Sequence, residues 1–219
     1  MSKEYFTSLQ KQEIYSKKNQ LFLKKRVLST FLNLIEVFFN KKLEKDQFIL
    51  DLGSADGTFV DVAKSSGFRA LGLDINQLNL ETDKISLKNN SCDLITANSL
   101  IEHISNPENF LQECKRTLKD NGILIIVTPD WSLNVKNFYD DPTHIRPYTK
   151  KSLSFLLKSH GFKNVQVVPW LVCKPKWMWK IPLNFLLARL IPFRGDAGKY
   201  VPGFLKGKSK TLLAICSKN

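Results

Sequence analysis

The sequence predicts an α/β domain with a doubly wound, mostly parallel sheet. Three observations carry this. From Gln47 onward, short apolar runs alternate with segments of helical period. Several runs, such as "FILDL" and "ILIIVTP", are apolar at nearly every position, as strands buried on both faces are. The segments between them are long enough to cross over the sheet, and two of them stop at a glycine.

The elements follow in order. Residues 5–45 place Leu9, Ile14, Leu21, Val27, Leu28, Phe31, Leu32, Leu34 and Ile35 at helical spacing, with lysines between them. No Pro or Gly interrupts this stretch, and it reads as two helices capping the sheet. "FILDL" is the first strand, and "DGTFVDVAKSSG" a helix with a glycine stop. "RALGLD" is the second strand and "CDLITAN" the third. "PENFLQECKRTL" is a helix with Pro107 in its first turn. "DNG" is a turn before the strand "ILIIVTP". "TKKSLSFLLKSHG" is a helix with Thr149 as its N-cap, and the strands "KNVQVVPW" and "KTLLAICSK" close the domain. The organisation is a cap over 1–45 and a domain over 46–219. Residues 171–209 form an insertion before the last strand, marked by prolines, glycines and Trp177 and Trp179.

Composition narrows the class. The chain has 219 residues, 43% of them hydrophobic, enough for a full core. The N-terminal residues are too polar for a signal peptide, and no run is long enough to span a bilayer. Cys92, Cys114, Cys173 and Cys216 show no metal-ligand spacing and read as reduced packing thiols of a cytoplasmic protein. The net charge of +13 points to nucleic acid or an anionic membrane. Yet the excess is mostly Lys, in a chain also rich in Asn, Ile and Phe, as A/T-rich coding produces. From Asn164 onward, ten Lys/Arg face one acid, Asp196.

In an open α/β sheet, ligands bind beyond the carboxyl ends of the strands. The loop "DLGSADGTF" stands at that place. Gly53 and Gly57 let a ligand approach the backbone, and the next helix offers free N–H groups. Asp74, 23 residues after Asp51, ends the second strand and suits the two hydroxyls of a ribose. The loop lacks G-x-G-x-x-G, although its spacing alone leaves a nicotinamide cofactor open. Ala55 stands where a third glycine is expected, and is harmless there if its φ is negative.

Asp51-Leu-Gly53-Ser-Ala55-Asp-Gly57, Asp74, Leu100-Ile101-Glu102-His103 and the turn Leu118 to Gly122 resemble the class I S-adenosylmethionine-dependent methyltransferases, type 11/23. The similarity spans roughly residues 47–170. It implies a Rossmann-like fold and S-adenosyl-L-methionine as cofactor, with S-adenosyl-L-homocysteine as product. It further implies that Asp51, Gly53, Ser54 and Gly57 hold the methionine part. Asp74 takes the ribose, Ile75 flanks the adenine and Asn98 borders the methionine. Asp74 and Asp93 are only 19 positions apart, so one helix–strand unit of the family is shortened or lost. Glu81 and Thr82 are the replacement candidates on the adenine side.

Methyl transfer to a hydroxyl needs a base. His160 sits at a helix end, where it caps. His103 follows a strand at the cofactor edge. A Glu-x-x-Glu-His element there binds a metal in some related O-methyltransferases. Here Ser99 replaces the first carboxylate, so no metal is expected. "YDDPTHIRPYT" gathers Asp140, Asp141, His144, Arg146 and Tyr148 on the same rim. His144 is the expected base with Asp141 orienting it, and Arg146 and Tyr148 are expected to touch substrate. "DPTHIRPYT" also resembles methyltransferases of cell-surface polysaccharide synthesis, which implies a sugar hydroxyl as acceptor. Residues 174–194 mix Lys174, Lys176, Lys180, Arg189 and Arg194 with Trp and Leu. That mixture suits a lid, a homodimer contact or an anionic membrane surface. An RNA acceptor is less favoured, since no RNA-binding motif accompanies the charge. A non-catalytic binding protein is the further alternative.

Overall fold

A computed structural model describes residues 17–74, 77–170 and 209–219. Ile75 and residues 171–208 of the insertion lie outside them, as does any helix before Lys17. The described part of the cap is one helix, α1 (Lys17–Phe39). It ends six residues before the expected limit because Asn40 turns left-handed, at φ 49°. Leu28, Phe31, Leu34 and Ile35 form its buried stripe. Phe31 packs on the rings of Phe59 and Trp170, at 6.0 and 5.3 Å between centroids.

The sheet has six strands: β1 (Phe48–Leu52), β2 (Arg69–Leu73), β3 (Cys92–Asn98), β4 (Leu118–Pro129), β5 (Lys163–Pro169) and β6 (Thr211–Ser217). Their order is β2-β1-β3-β4-β6-β5. The β2–β1, β1–β3 and β3–β4 pairs are parallel, and β6 runs antiparallel between β4 and β5. This is the Rossmann-like sheet expected. The helices are α2 (Thr58–Ser65), α3 (Glu108–Thr117), a short turn α4 (Trp131–Asn134) and α5 (Lys150–Ser159).

Both faces are covered. Ile49, Leu94, Ile125 and Val127 pack with α1 and α2. Leu50, Leu52, Ile95 and Ile126 pack with α3 and α5. Alternate residues of one strand thus enter two cores, which is why these strands read as continuous apolar runs. Thr149 caps α5 in a reciprocal capping box with Ser152. His160 occupies the C-cap of α5, as expected, and its Nε2 lies 3.0 Å from Glu108 Oε2.

Two details differ from the sequence reading. The "DNG" turn belongs to β4, which starts at Leu118 and bulges before Ile123, with Asn121 at φ 57°. Between β2 and β3 the described residues form turns only. Side chains of α3 fasten this strap. Glu113 accepts from the Ile85 N–H, Arg116 donates to the Ile85 and Leu87 carbonyls, and Asn109 donates to those of Leu80 and Asp83. They satisfy backbone groups that a helix and strand would otherwise have paired.

Candidate functional site

The chain departs from β1 toward β2 on one side and β3 on the other, which opens a crevice at their carboxyl ends. The loop after β1 lines it. Gly53 has φ +73°, and a Cβ there would come within 3.2 Å of Leu100. Its N–H donates to the Leu73 carbonyl at 2.8 Å, tying the loop to the end of β2. Gly57, at φ +73°, precedes α2, and a Cβ on it would meet nothing within 4 Å. The space above the helix N-terminus is therefore open. Ala55 departs from expectation: its φ is +47°, so this alanine holds a left-handed conformation that glycine would adopt freely.

Asp51 lies beneath the loop and is buried. Burial raises its pKa to about 6, against the hydrogen bond from Thr96 and the field of Lys24. The Thr96 hydroxyl donates to Asp51 Oδ1 at 2.6 Å. Lys24 also draws on Asp56, so α1 delivers a cation to the cofactor loop. No motif marks Lys24 in the sequence; only the packing of α1 on α2 brings it there. Gly72 was missed as well. It pairs with Asp51 across β1 and β2, and a Cβ on it would lie 2.6 Å from Ser54. Asp74 follows β2 half-buried, with its carbonyl accepting from the Gln77 and Leu78 N–H groups. Asn98 ends β3 on the same rim. Glu81 is committed elsewhere: its carboxylate accepts from the Ser105 N–H and hydroxyl. The Thr82 hydroxyl donates to Asp83 Oδ1 at 3.0 Å.

The rim continues through Leu100, which abuts Gly53 and accepts the His103 N–H at 3.0 Å in a 3-10 turn, Ile101–His103. The loop after β4 docks on this turn. The N–H groups of Ile145 and Arg146 both donate to the Glu102 carbonyl, at 2.9 and 3.0 Å. His103 and His144 are thereby brought together, with ring centroids 4.8 Å apart. Glu102 is fully buried. Its Oε2 accepts from Thr128 at 2.9 Å, whereas Oε1 has no hydrogen-bond partner among the described residues. Burial pushes its pKa to about 7. Burial also lowers the pKa of His103.

Three expected residues are placed as follows. Asp141 Oδ2 lies 3.8 Å from His144 Nε2, within ion-pair reach but beyond a hydrogen bond. Burial would raise the Asp141 pKa, but bonds from the Thr143 hydroxyl and N–H outweigh it and hold the carboxyl below its usual range. The Phe138 carbonyl lies 2.7 Å from His144 Nδ1 and orients the ring from its other side. Arg146 donates to the Ser105 carbonyl at 2.7 Å and pins the loop. Tyr148 is buried in the core against the α3–α5 layer, with burial raising its phenol to about 12. A groove of about 820 Å³ at the opposite, amino ends of the strands is lined by Lys115, Arg116 and Lys218. Its cations already bond His160, Glu113 and the Leu118 carbonyl, so it is part of the scaffold.

Comparison with known proteins agrees with this geometry. Residues 21–167 match the family model described as a methyltransferase domain. An uncharacterized protein of Methanocaldococcus jannaschii is 25% identical over 133 residues, which span 53% of this chain and 65% of that protein. A S-adenosylmethionine-dependent methyltransferase of Aquifex aeolicus superposes with a TM-score of 0.59 at 16% identity, over the whole of both chains. One of Archaeoglobus fulgidus gives 0.58 at 20% identity, covering 89% of this chain and 94% of its own. The Haemonchus contortus phosphoethanolamine N-methyltransferase 2, solved with S-adenosyl-L-methionine, gives 0.56 at 15% identity, over 95% of this chain and 58% of its own. At these identities the structural likeness shows the fold, and the family match covers most of the chain. The open space over Gly57, the buried Asp51 and the half-buried Asp74 fit the family's cofactor. The chain belongs to the class I S-adenosylmethionine-dependent methyltransferases, with S-adenosyl-L-methionine as its cofactor.

Proposed function

We propose that the protein transfers a methyl group to a hydroxyl, with a sugar as the acceptor class, in cell-surface glycan synthesis. The observation that carries this reading is the pair His103 and His144 on the rim that also holds the cofactor loop. Bound S-adenosyl-L-methionine supplies an activated methyl group, so the protein's part is alignment, exclusion of water and care of the acceptor proton.

The residues divide these tasks. Asp51 and the Gly53–Ser54 backbone face the methionine part, and a cationic amino group there offsets the cost of keeping Asp51 ionised. Asp74 takes the ribose hydroxyls, and Asn98 closes the methionine side. The Phe138 carbonyl accepts from His144 Nδ1, which leaves a lone pair on Nε2 to take up a proton. Arg146 and Asp141 hold this loop in place rather than touching the acceptor. The "DPTHIRPYT" resemblance favours a sugar over other hydroxyl compounds.

Two measurements test the reading. S-adenosyl-L-homocysteine is expected to give a saturating rise in Tm that Asp74→Ala abolishes; no shift in the parent protein would overturn cofactor binding here. Labelled methyl transfer to a panel of nucleotide-linked and lipid-linked sugars is expected to give an alkali-stable ether. Exclusive labelling of amines or RNA would overturn the acceptor class.

A further inference from the structure

We propose that β2 pairs with β2 of a second copy of this chain, antiparallel about a two-fold axis at Leu71. β2 stands at one edge of the sheet, and the strap that follows it forms turns only. The direction of its backbone groups follows from its bonds to the β1 side. The Arg69 N–H donates to the Gln47 carbonyl, and the Leu73 carbonyl accepts from the Gly53 N–H. Successive residues of a strand turn these groups to opposite sides, so Arg69, Leu71 and Leu73 face β1. Ala70 and Gly72 therefore turn their N–H and C=O groups outward, and no strand pairs with them there among the described residues.

The two edges of the sheet are built differently. β5 begins with Lys163, breaks register with β6 between Lys163 and Gln166, and ends in Pro169. A lysine, a bulge and a proline are devices that keep an edge strand from pairing. β2 holds a regular register with β1 along its whole length, has no proline, and carries one charge, Arg69, at its start. At its centre Leu71 is 37% exposed. An apolar, regular edge with outward donors and acceptors is a template for a further strand.

The strand Arg69-Ala70-Leu71-Gly72-Leu73 is complementary to itself about its centre. In the antiparallel pair Ala70 stands opposite the partner's Gly72, and the two exchange both N–H···O bonds, an exchange that the axis repeats. Leu71 meets the partner's Leu71 as the non-hydrogen-bonded pair, in which side chains approach more closely. Arg69 stands opposite the partner's Leu73, so no like charges face each other along the strand. This two-fold fit selects a second copy over a strand of another protein. The strands run in opposite directions, so the two cofactor loops lie toward opposite ends of one continuous sheet. The pairing does not rest on the acceptor class.

The test uses the full chain in sedimentation equilibrium. One added strand gives an interface near or below about 1,200 Å², where association is weak, so passage from monomer to dimer is expected between about 1 µM and about 0.5 mM. Over the same range, amide exchange at Ala70 and Gly72 is expected to slow. Leu71→Lys sets two like charges across the axis and is expected to weaken the dimer about tenfold or more. Leu71→Cys places two thiols on Cα atoms about 4.5 Å apart, within the span of a disulfide, so mild oxidation is expected to link the chains in pairs. A cooperative thermal transition reports that each variant is folded. A parent protein that stays monomeric at the highest concentration overturns the pairing. So does a dimer that folded Leu71→Lys forms with the parent's affinity, or Leu71→Cys chains that link no faster than the parent's own cysteines do. Each of these outcomes leaves the methyltransferase assignment intact.

Discussion

The Thr96 hydroxyl donates to Asp51 Oδ1 at 2.6 Å, joining β3 to β1 directly beneath the cofactor loop. Both residues are buried, so this bond satisfies an acid that would otherwise be costly in the sheet. Thr96→Val keeps the shape and removes the donor. It is expected to lower stability by about 1–3 kcal/mol in urea denaturation. It should also weaken S-adenosyl-L-homocysteine, while Thr96→Ser retains both. Unchanged stability in the valine variant would show that the bond is dispensable.

Ala55 at φ +47° carries a local strain that glycine lacks. A left-handed non-glycine residue costs roughly 1–2 kcal/mol, partly offset by the greater freedom of glycine in the unfolded chain. Ala55→Gly is therefore expected to gain about 0.5 kcal/mol, and Ala55→Val to lose more than that. Chemical denaturation of the pair decides, since a destabilised glycine variant contradicts the left-handed assignment.

Gly72 leaves no room for a side chain. A Cβ would lie 2.6 Å from Ser54 Cβ and Oγ and 2.9 Å from Val60 Cγ2. Gly72→Ala is expected to displace the loop and weaken S-adenosyl-L-homocysteine by about tenfold or more, equivalent to roughly 1.4 kcal/mol. Calorimetric titration measures this, and unaltered affinity would mean that the loop moves without cost.

The pH dependence of stability reports on Glu102. Burial raises its pKa from 4.5 to about 7, so the folded state binds this proton more tightly than the unfolded state. Its contribution is full below about pH 4.5, falls as pH rises, and is lost above about pH 7. His103 acts in the opposite sense, because its pKa is lowered and stability then grows as pH rises toward 6.5. Comparison with Glu102→Gln removes the His103 effect. The parent protein should lose stability relative to this variant by about 2–3 kcal/mol between pH 5 and 8. A flat difference would show that Glu102 ionises without cost.

The fold was legible because its elements announce themselves locally. β1, β3 and the part of β4 from Ile123 are buried on both faces, so most residues there had to be apolar. Thr149 and Ser152 declare the start of α5 at close range. The loop at Gly53–Gly57 and the acid Asp74 were readable because spacing along strands fixes where such residues emerge. Local pattern ends where a side chain's partner comes from a distant segment. His103 and His144 were assigned to one rim, but the contact of their rings, 41 residues apart in the chain, needed the docking of the loop on the Glu102 turn. Arg146 and Tyr148 read alike by their company in the sequence, and docking on the Glu102 turn bonded one to the Ser105 carbonyl and buried the other.

By itself, then, the sequence determined the doubly wound sheet, the cofactor loop and the family, all set by periodicity and short-range spacing. The tertiary structure alone decided which ionisable groups share an environment. Burial left Glu102 Oε1 without a hydrogen-bond partner among the described residues, the Phe138 and Thr143 carbonyls fixed the two histidine tautomers, and the packing of α1 aimed Lys24 at the loop. Desolvation and hydrogen-bond direction depend on three-dimensional neighbours, and those neighbours are far apart in the chain.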